Sequence, residues 1–156
     1  MRIALILLIL VALLALALVL YIRLAPMTAE RWHLDPATAA RPATPNAHIL
    51  RDDDGDAPAP ILPAPPDAVA QALETVAGQE PRVTRLAGSA AEGHVTYVQR
   101  SRLIGYPDAI SIRLTAEGDG TRVELFSRSR FGYSDGGVNA ARVSRWMGAL
   151  RDALGP

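Results

Sequence analysis

The chain has 156 residues, contains no cysteine, and carries 16 basic and 16 acidic residues, so its formal net charge is zero. This balance gives no overall positive potential that would attract nucleic acid. The absence of cysteine excludes disulfides, thiolate metal ligands and a cysteine nucleophile. Every basic side chain is an arginine and alanine is abundant, a bias that is typical of a GC-rich bacterial genome.

The first predicted element is a membrane-spanning helix within residues 1–24. Residues 3–22 are apolar and uncharged, and as a helix they span about 30 Å, the thickness of a bilayer's hydrocarbon core. Arg2 and Arg23 flank this run, and Tyr21 stands where an interfacial aromatic residue is expected. We expect a single-pass anchor whose partner is the lipid bilayer. The alternative is a signal peptide cleaved near Ala15 and Ala17.

Two sequence patterns give opposite predictions for the side of the membrane on which the C-terminal part of the chain lies. Arg23, Arg31 and Arg41 follow the apolar run while only Arg2 and the α-amine precede it, which favours a cytoplasmic C-terminus. However, a very short N-terminal tail before a long apolar run is typical of a signal anchor. We therefore expect a protein of the bacterial inner membrane with its C-terminal domain in the periplasm.

Residues 25–62 are rich in proline and aspartate and show no apolar periodicity, which predicts a largely irregular, semi-rigid tether. Asp52, Asp54 and Asp56 match the first three ligand positions of a calcium loop. The glycine of this run, Gly55, stands at the fourth position instead of the sixth, and Pro63 replaces the last ligand, so we predict no metal here; we predict no cofactor either. Trp32 and His33 would lie either on the membrane surface or on a patch of the domain.

Residues 63–156 predict a domain of order α-β-β-β-β-α. Asp67 is the expected cap of a first helix that ends at Gly78, and Asn139 is the expected cap of the last. Between them lie four strand-like runs, at 81–87, 94–100, 109–115 and 121–129. Alternating apolar residues and short loops favour an antiparallel four-stranded sheet with one wet face, covered by helices on the other. The predicted fold class is α+β with two layers.

Residues 132–136 match G-x-S-x-G, the spacing of a hydrolase nucleophile elbow. That fold requires parallel strands that alternate with helices, and a histidine after the serine. Here the strands are consecutive, all three histidines precede Ser134, and the chain has no lysine to replace them. We interpret the motif as a strand-to-helix turn and predict no catalytic residue, with a serine hydrolase that uses Ser134 as an alternative.

Two adjacent motifs resemble a known family. Residues 129–132 read S-R-F-G, and residues 134–142 read S-D-G-G-V-N-A-A-R, at the opening of the last helix. Together with the segment I-G-Y-P-D-A-I-S-I at 104–112, they are similar to the bacterial family catalogued as domain of unknown function 1499. The resemblance covers roughly residues 60–155. It implies the domain limits and a link to bacterial envelopes, and it implies no activity.

The same stretch concentrates polar side chains around one turn, and a helix N-terminus beside arginines can bind an anion. We predict a site for a phosphate or carboxylate group, from lipid or envelope polymer, formed by Ser129, Arg130, Ser134, Asp135, Asn139 and Arg142. In a structural alternative, Asp135 pairs with Arg130 or Arg142 and pins the strand to the helix. In a second alternative, the domain is a tethered interaction module that binds an envelope protein through a sheet edge or through the wet face with Arg113, Arg122 and Glu124.

Overall fold

The computed structural model describes residues 1–155, so the last residue of the predicted domain, Pro156, lies outside the described part of the chain. Within that part, the helices and strands follow in this order: α1 (Arg2–Leu24), α2 (Ala29–Trp32), β1 (Ala47–Leu50), β2 (Ile61–Leu62), α3 (Pro66–Gln79), β3 (Val83–Ser89), β4 (His94–Arg100), β5 (Pro107–Glu117), β6 (Gly120–Ser129) and α4 (Val138–Leu154). The predicted α+β class, with an apolar N-terminal helix and an antiparallel sheet, is confirmed.

Helix α1 is the one helix in residues 1–155 that is long and apolar enough to cross a membrane. Its most apolar 18-residue window contains no buried residue, and only Ile22, near the end of the helix, is buried. These properties fit a membrane span, and a signal sequence at the N-terminus has the same properties.

The sheet has six strands, and the prediction of four is wrong. Its order is β1-β6-β5-β4-β3, and β2 pairs with β6 beyond the end of β1. The two additional strands come from the segment predicted as a tether. They form because β6 would otherwise expose an unpaired edge, and because Ile49 and Leu62 become buried when β1 and β2 pair with it.

Helices α3 and α4 cover one face of the sheet and enclose the main core. Alternate residues of β5 and β6, such as Ile112 and Leu125, point into this core, as the predicted alternation requires. Trp146 of α4 is fully buried and meets Tyr97 of β4 edge to face. Helix α3 begins with Pro66 at its first position, so the predicted cap, Asp67, lies instead in the first turn.

The opposite face of the sheet is covered as well, so the predicted wet face is wrong. Part of the segment 25–45 lies across it, and Trp32 and His33 of this segment pack near the small polar side chains of the middle strands. The Ser111 hydroxyl donates to the Trp32 carbonyl oxygen over 3.3 Å, and His33 Nδ1 lies 2.8 Å from Thr96 Oγ1. Ser111 and Thr96 are therefore buried, and the proline-rich segment lies against the sheet.

Candidate functional site

The turn that precedes α4 is organised by Asp135. Its Oδ1 accepts a hydrogen bond from the Gly137 amide over 2.9 Å, and its Oδ2 accepts one from the Asn139 amide over 2.8 Å. Burial alone would raise the pKa of Asp135, but these amide hydrogen bonds outweigh it and lower that pKa. Gly137, with φ of 85°, is the residue before the helix, so the prediction that Asn139 caps α4 is wrong.

Asn139 lies in the first turn of α4 and is fully buried. Its Nδ2 lies 2.6 Å from Asp135 Oδ2 and 3.0 Å from Ser129 Oγ. Its Oδ1 accepts a hydrogen bond from Ser127 Oγ over 2.6 Å. The side chain therefore joins the turn to the end of β6.

Arg142, one turn further along α4, is also buried, with 5% of its surface exposed. Its Nη2 donates to Asp108 Oδ2 over 2.7 Å, and its Nε donates to Gln99 Oε1 over 2.6 Å. Its Nη1 bonds Ser127 and Asn139. Gln99, Asp108 and Ser127 lie at the same end of β4, β5 and β6, so the arginine binds the helix to three adjacent strands.

The structure thus brings four of the six predicted site residues, Ser129, Asp135, Asn139 and Arg142, into one internal network. The Gly137 and Asn139 amides at the start of α4 already donate to the Asp135 carboxylate. The Arg142 guanidinium already faces a carboxylate and three further acceptors. The carboxylate that pairs with Arg142 is Asp108, whereas the structural alternative from the sequence named Asp135. Arg130 lies apart from this network and donates to the Pro26 carbonyl oxygen.

Ser134 lies in the exposed part of the turn, where its Oγ accepts a hydrogen bond from the Gly136 amide over 3.2 Å. The three histidines contact other groups. His33 lies beside Thr96, His94 contacts the Leu34 carbonyl oxygen, and His48 lies 3.7 Å from Asp56. Within residues 1–155, the structure therefore places no imidazole in hydrogen-bonding contact with Ser134.

Three of the four aspartates in residues 52–56, namely Asp52, Asp54 and Asp56, face arginines. Asp52 pairs with Arg122 over 2.6 Å, and Asp54 lies 2.6 Å from the Nε of buried Arg51. Asp56 accepts from Arg41 and from the Ile49 amide. Residues 1–155 contain no cluster of three or more histidine or acidic side chains arranged to hold a metal ion.

Two of the side chains predicted for the interaction module, Arg113 and Arg122, form salt bridges with aspartates of the segment predicted as a tether. Arg113 pairs with Asp35, and Arg122 pairs with Glu117 as well as with Asp52. Burial raises the pKa of Glu124, the third residue of that predicted face. Strand β3 remains an edge of the sheet.

A different group of arginines lines a cleft of about 290 Å³ on the sheet face that residues 25–45 cover. We call it the arginine cleft and define it by Arg31, Arg128 and Arg130. None of the three forms a salt bridge with a carboxylate among the residues that the structure describes. Asn46 and Ser129 contribute further polar groups to its lining.

Arg128 is the central side chain of the arginine cleft. Its guanidinium carbon lies 4.6 Å from the centre of the Trp32 ring and 4.8 Å from that of Phe126. Its Nη2 donates to the Arg31 carbonyl oxygen over 3.2 Å, while its buried Nε has no acceptor within residues 1–155. Burial, followed by the charge of Arg31, lowers the pKa of Arg128 to about 10.

Sequence reasoning identified Arg130 and missed Arg31 and Arg128. A usable signal was present, because Arg128 and Arg130 are two residues apart at the end of a strand-like run, a spacing that places side chains on one face of an extended chain. The proximity of Arg31 had no such signal, since it depends on how residues 25–45 cross the sheet.

A second cleft, of about 550 Å³, lies where α1 meets the domain. We call it the junction cleft. Leu18 and Tyr21 of α1 line one part of it, and Tyr106, Phe131 and Val138 of the domain line another. Asp108, Ser129 and Asp135 contribute polar groups, so the internal network borders this cleft.

We compared the chain with solved structures, with curated proteins and with models of protein families. The crystal structure of TTHA0849 from Thermus thermophilus is 14% identical, covers 69% of this chain and 93% of its own, and has a TM-score of 0.33. No curated protein matches the chain. The family model described as "Protein of unknown function (DUF1499)" matches residues 34–150, and this match extends over most of the chain. The chain therefore belongs to the DUF1499 family.

Proposed function

We propose that this protein is a membrane-anchored protein of the bacterial envelope whose domain binds a phosphate or carboxylate group in the arginine cleft. The observation that carries the proposal is the absence of any carboxylate partner, within residues 1–155, for Arg31, Arg128 and Arg130. The anion class is the one that the sequence suggested, and the residues that bind it are revised.

The electrostatics of Arg128 support an anionic ligand. A guanidinium that is partly removed from water loses solvation, and a second positive charge nearby adds repulsion, which is why the pKa falls. An anion in the cleft would reverse both effects. Its oxygens would also provide the acceptor that the buried Nε lacks, in the paired geometry that arginine forms with phosphate or carboxylate.

The aromatic rings fix the position of this charge. Trp32 and Phe126 are both buried and both lie beside the Arg128 guanidinium, so the side chain is held in place before a ligand arrives. A guanidinium that is already ordered loses less conformational entropy on binding, which favours affinity.

Inorganic phosphate is the first probe, applied to the full chain in a non-ionic detergent. We expect phosphate to raise the melting temperature more than chloride at matched ionic strength, because a ligand that binds the folded state stabilises it. Arg31→Gln and Arg128→Gln should weaken this response several-fold. Arg151→Gln, at the far end of α4, is the matched control and should retain it. An equal loss in the control, or no specific response in the parent, would contradict the proposal.

A second arm distinguishes the sources of the anion. Nanodiscs with phosphatidylglycerol, compared with nanodiscs of phosphatidylcholine alone, test a lipid headgroup. Stabilisation by phosphatidylglycerol that is lost in Arg31→Gln supports a lipid. A response to soluble phosphate without a response to phosphatidylglycerol supports a soluble ligand.

The orientation of the anchor is the remaining part of the proposal. We place the domain in the periplasm, since a short N-terminal tail and a long apolar helix are typical of signal anchors. Alkaline phosphatase, which is active only after export, should be active when fused after residue 156. Activity of a cytoplasmic reporter at that position, with an inactive phosphatase fusion, would reverse the orientation.

A further inference from the structure

The exposed apolar side chains of the domain are concentrated at one end. Among residues 25–155, the large apolar side chains that are exposed are Ile61, Leu103, Tyr106, Tyr133 and Val138. All but Ile61 lie in the loop between β4 and β5, in the segment that leads into α4, or at the first residue of α4. Leu103 and Tyr133 are the most exposed, at 81% and 74%. Apolar groups left in water at one place indicate an interaction surface.

The same end of the domain contacts α1. The Arg23 guanidinium donates to the Leu103 carbonyl oxygen over 2.7 Å and to the Ile104 carbonyl oxygen over 3.2 Å. On the other side, the ring of Tyr21 lies 6.0 Å from that of Phe131, which in turn lies 6.1 Å from the ring of Tyr106. The apolar helix therefore leaves the domain between the two loops that carry the exposed apolar residues.

The position of these loops relative to the apolar stretch of α1 determines what can cover them. Tyr21 is the penultimate residue of the uncharged run, and Arg23 marks its end. A bilayer around this run has its interface at Tyr21 and Arg23, and both residues touch the loops. The loops must therefore lie at the depth of the lipid headgroups.

We infer that Leu103, Tyr106, Tyr133 and Val138 form a docking surface that inserts into the interfacial region of the bilayer. The inference rests on the proposed anchoring of α1. Tyrosine is suited to this region because its ring is apolar and its hydroxyl is polar, and an exposed leucine gains free energy when it leaves water. Arg102, beside Leu103, can extend its charge to lipid phosphates.

The docking surface gives the domain a defined orientation on the membrane. Strand β6 runs from Gly120 to Ser129, and its far end, at the hairpin with β5, points away from the loops. Ile61 pairs with Arg122 near that far end, about 23 Å along the strand from Ser129. An exposed apolar residue thus lies at each end of the sheet, and only one end is expected to meet lipid.

Because the chain has no cysteine, single labels can test this directly in the full protein. Spin labels are attached to Leu103→Cys, Tyr133→Cys, Ile61→Cys as the matched control, and Leu10→Cys as a reference inside the anchor. Each protein is placed in nanodiscs of phosphatidylcholine and phosphatidylglycerol. Collision with oxygen, which concentrates in lipid, is compared with collision with a water-soluble nickel complex.

We expect the ratio of oxygen to nickel collisions at Leu103→Cys and Tyr133→Cys to exceed that at Ile61→Cys several-fold, and to lie below that at Leu10→Cys. Labels at 103 and 133 that match the one at 61, with position 10 in lipid, would overturn the docking and leave the anchor intact. A label at position 10 in water would overturn both. Spin–spin broadening of a label at 103 or 133 would show that the same site of a second copy lies close by, and would replace lipid with a second copy as the occupant. A label at either site that neither oxygen nor the nickel complex reaches would replace lipid with another protein.

Discussion

The guanidinium of Arg142 shows how one residue can fasten the end of a helix to three strands. The side chain and its partner Asp108 are both buried, so removing one charge leaves the other without compensation in a poorly solvated place. We predict that Arg142→Met lowers the free energy of unfolding by about 3–5 kcal/mol. Urea denaturation of the full chain in detergent measures this loss.

The double variant Arg142→Met with Asp108→Asn tests the reason for that loss. If the uncompensated Asp108 carboxylate accounts for much of it, the double variant should be more stable than Arg142→Met alone. If the losses of unfolding free energy in Arg142→Met and in the single variant Asp108→Asn simply add in the double variant, the pair is not coupled. The loss in Arg142→Met would then come from the hydrogen bonds to Gln99 and Ser127.

At the scale of elements, the sequence predicted the helices and strands whose own residues show a regular apolar pattern. Helices α3 and α4 and the four strands of the meander, β3 to β6, lie close to their expected positions because alternation or a helical stripe spans enough residues to be read locally. Strands β1 and β2 have four and two residues and lie among prolines, so no local pattern marks them. They exist because β6 offers an edge, and pairing across tens of residues is invisible to a local window.

The candidate site shows the same limit. The turn around Asp135 could be expected from its residues, since aspartate and glycine at this spacing favour hydrogen bonds to the first amides of a helix. Its partners could not, because Asp108 is 34 residues from Arg142 and Asn46 is 93 residues from Asn139. The arginine cleft depends in the same way on the path of residues 25–45, which composition alone describes as irregular.

At the scale of the whole molecule, the carboxylates should make the domain sensitive to acid. Burial alone would raise the pKa of Asp56 and of Asp135, but hydrogen bonds from Ile49 and Arg41 lower that of Asp56 and hydrogen bonds from Asn139 and Gly137 lower that of Asp135. The Arg145 hydrogen bond lowers the pKa of Glu80. A group whose pKa is lowered by folding binds protons more readily in the unfolded chain. These groups therefore stabilise the fold above about pH 4 and lose that contribution as the pH falls through their folded pKa values.

His33 should add a separate loss at higher pH. Burial, and then the charge of the stacked His94 ring, lower the pKa of His33, so the fold favours its neutral imidazole. The unfolded chain takes up this proton near pH 6.5, so stability should fall as the pH drops below about 6.5 and level off below the folded pKa.

Unfolding of the full chain by urea between about pH 7 and pH 3 should show both declines in stability, the upper one from His33 and the lower one from the carboxylates. His33→Gln, which can keep a hydrogen bond to Thr96, should abolish the upper decline and keep the lower one, because the carboxylates are unchanged. An upper decline of the same size in His33→Gln would assign that proton to another group.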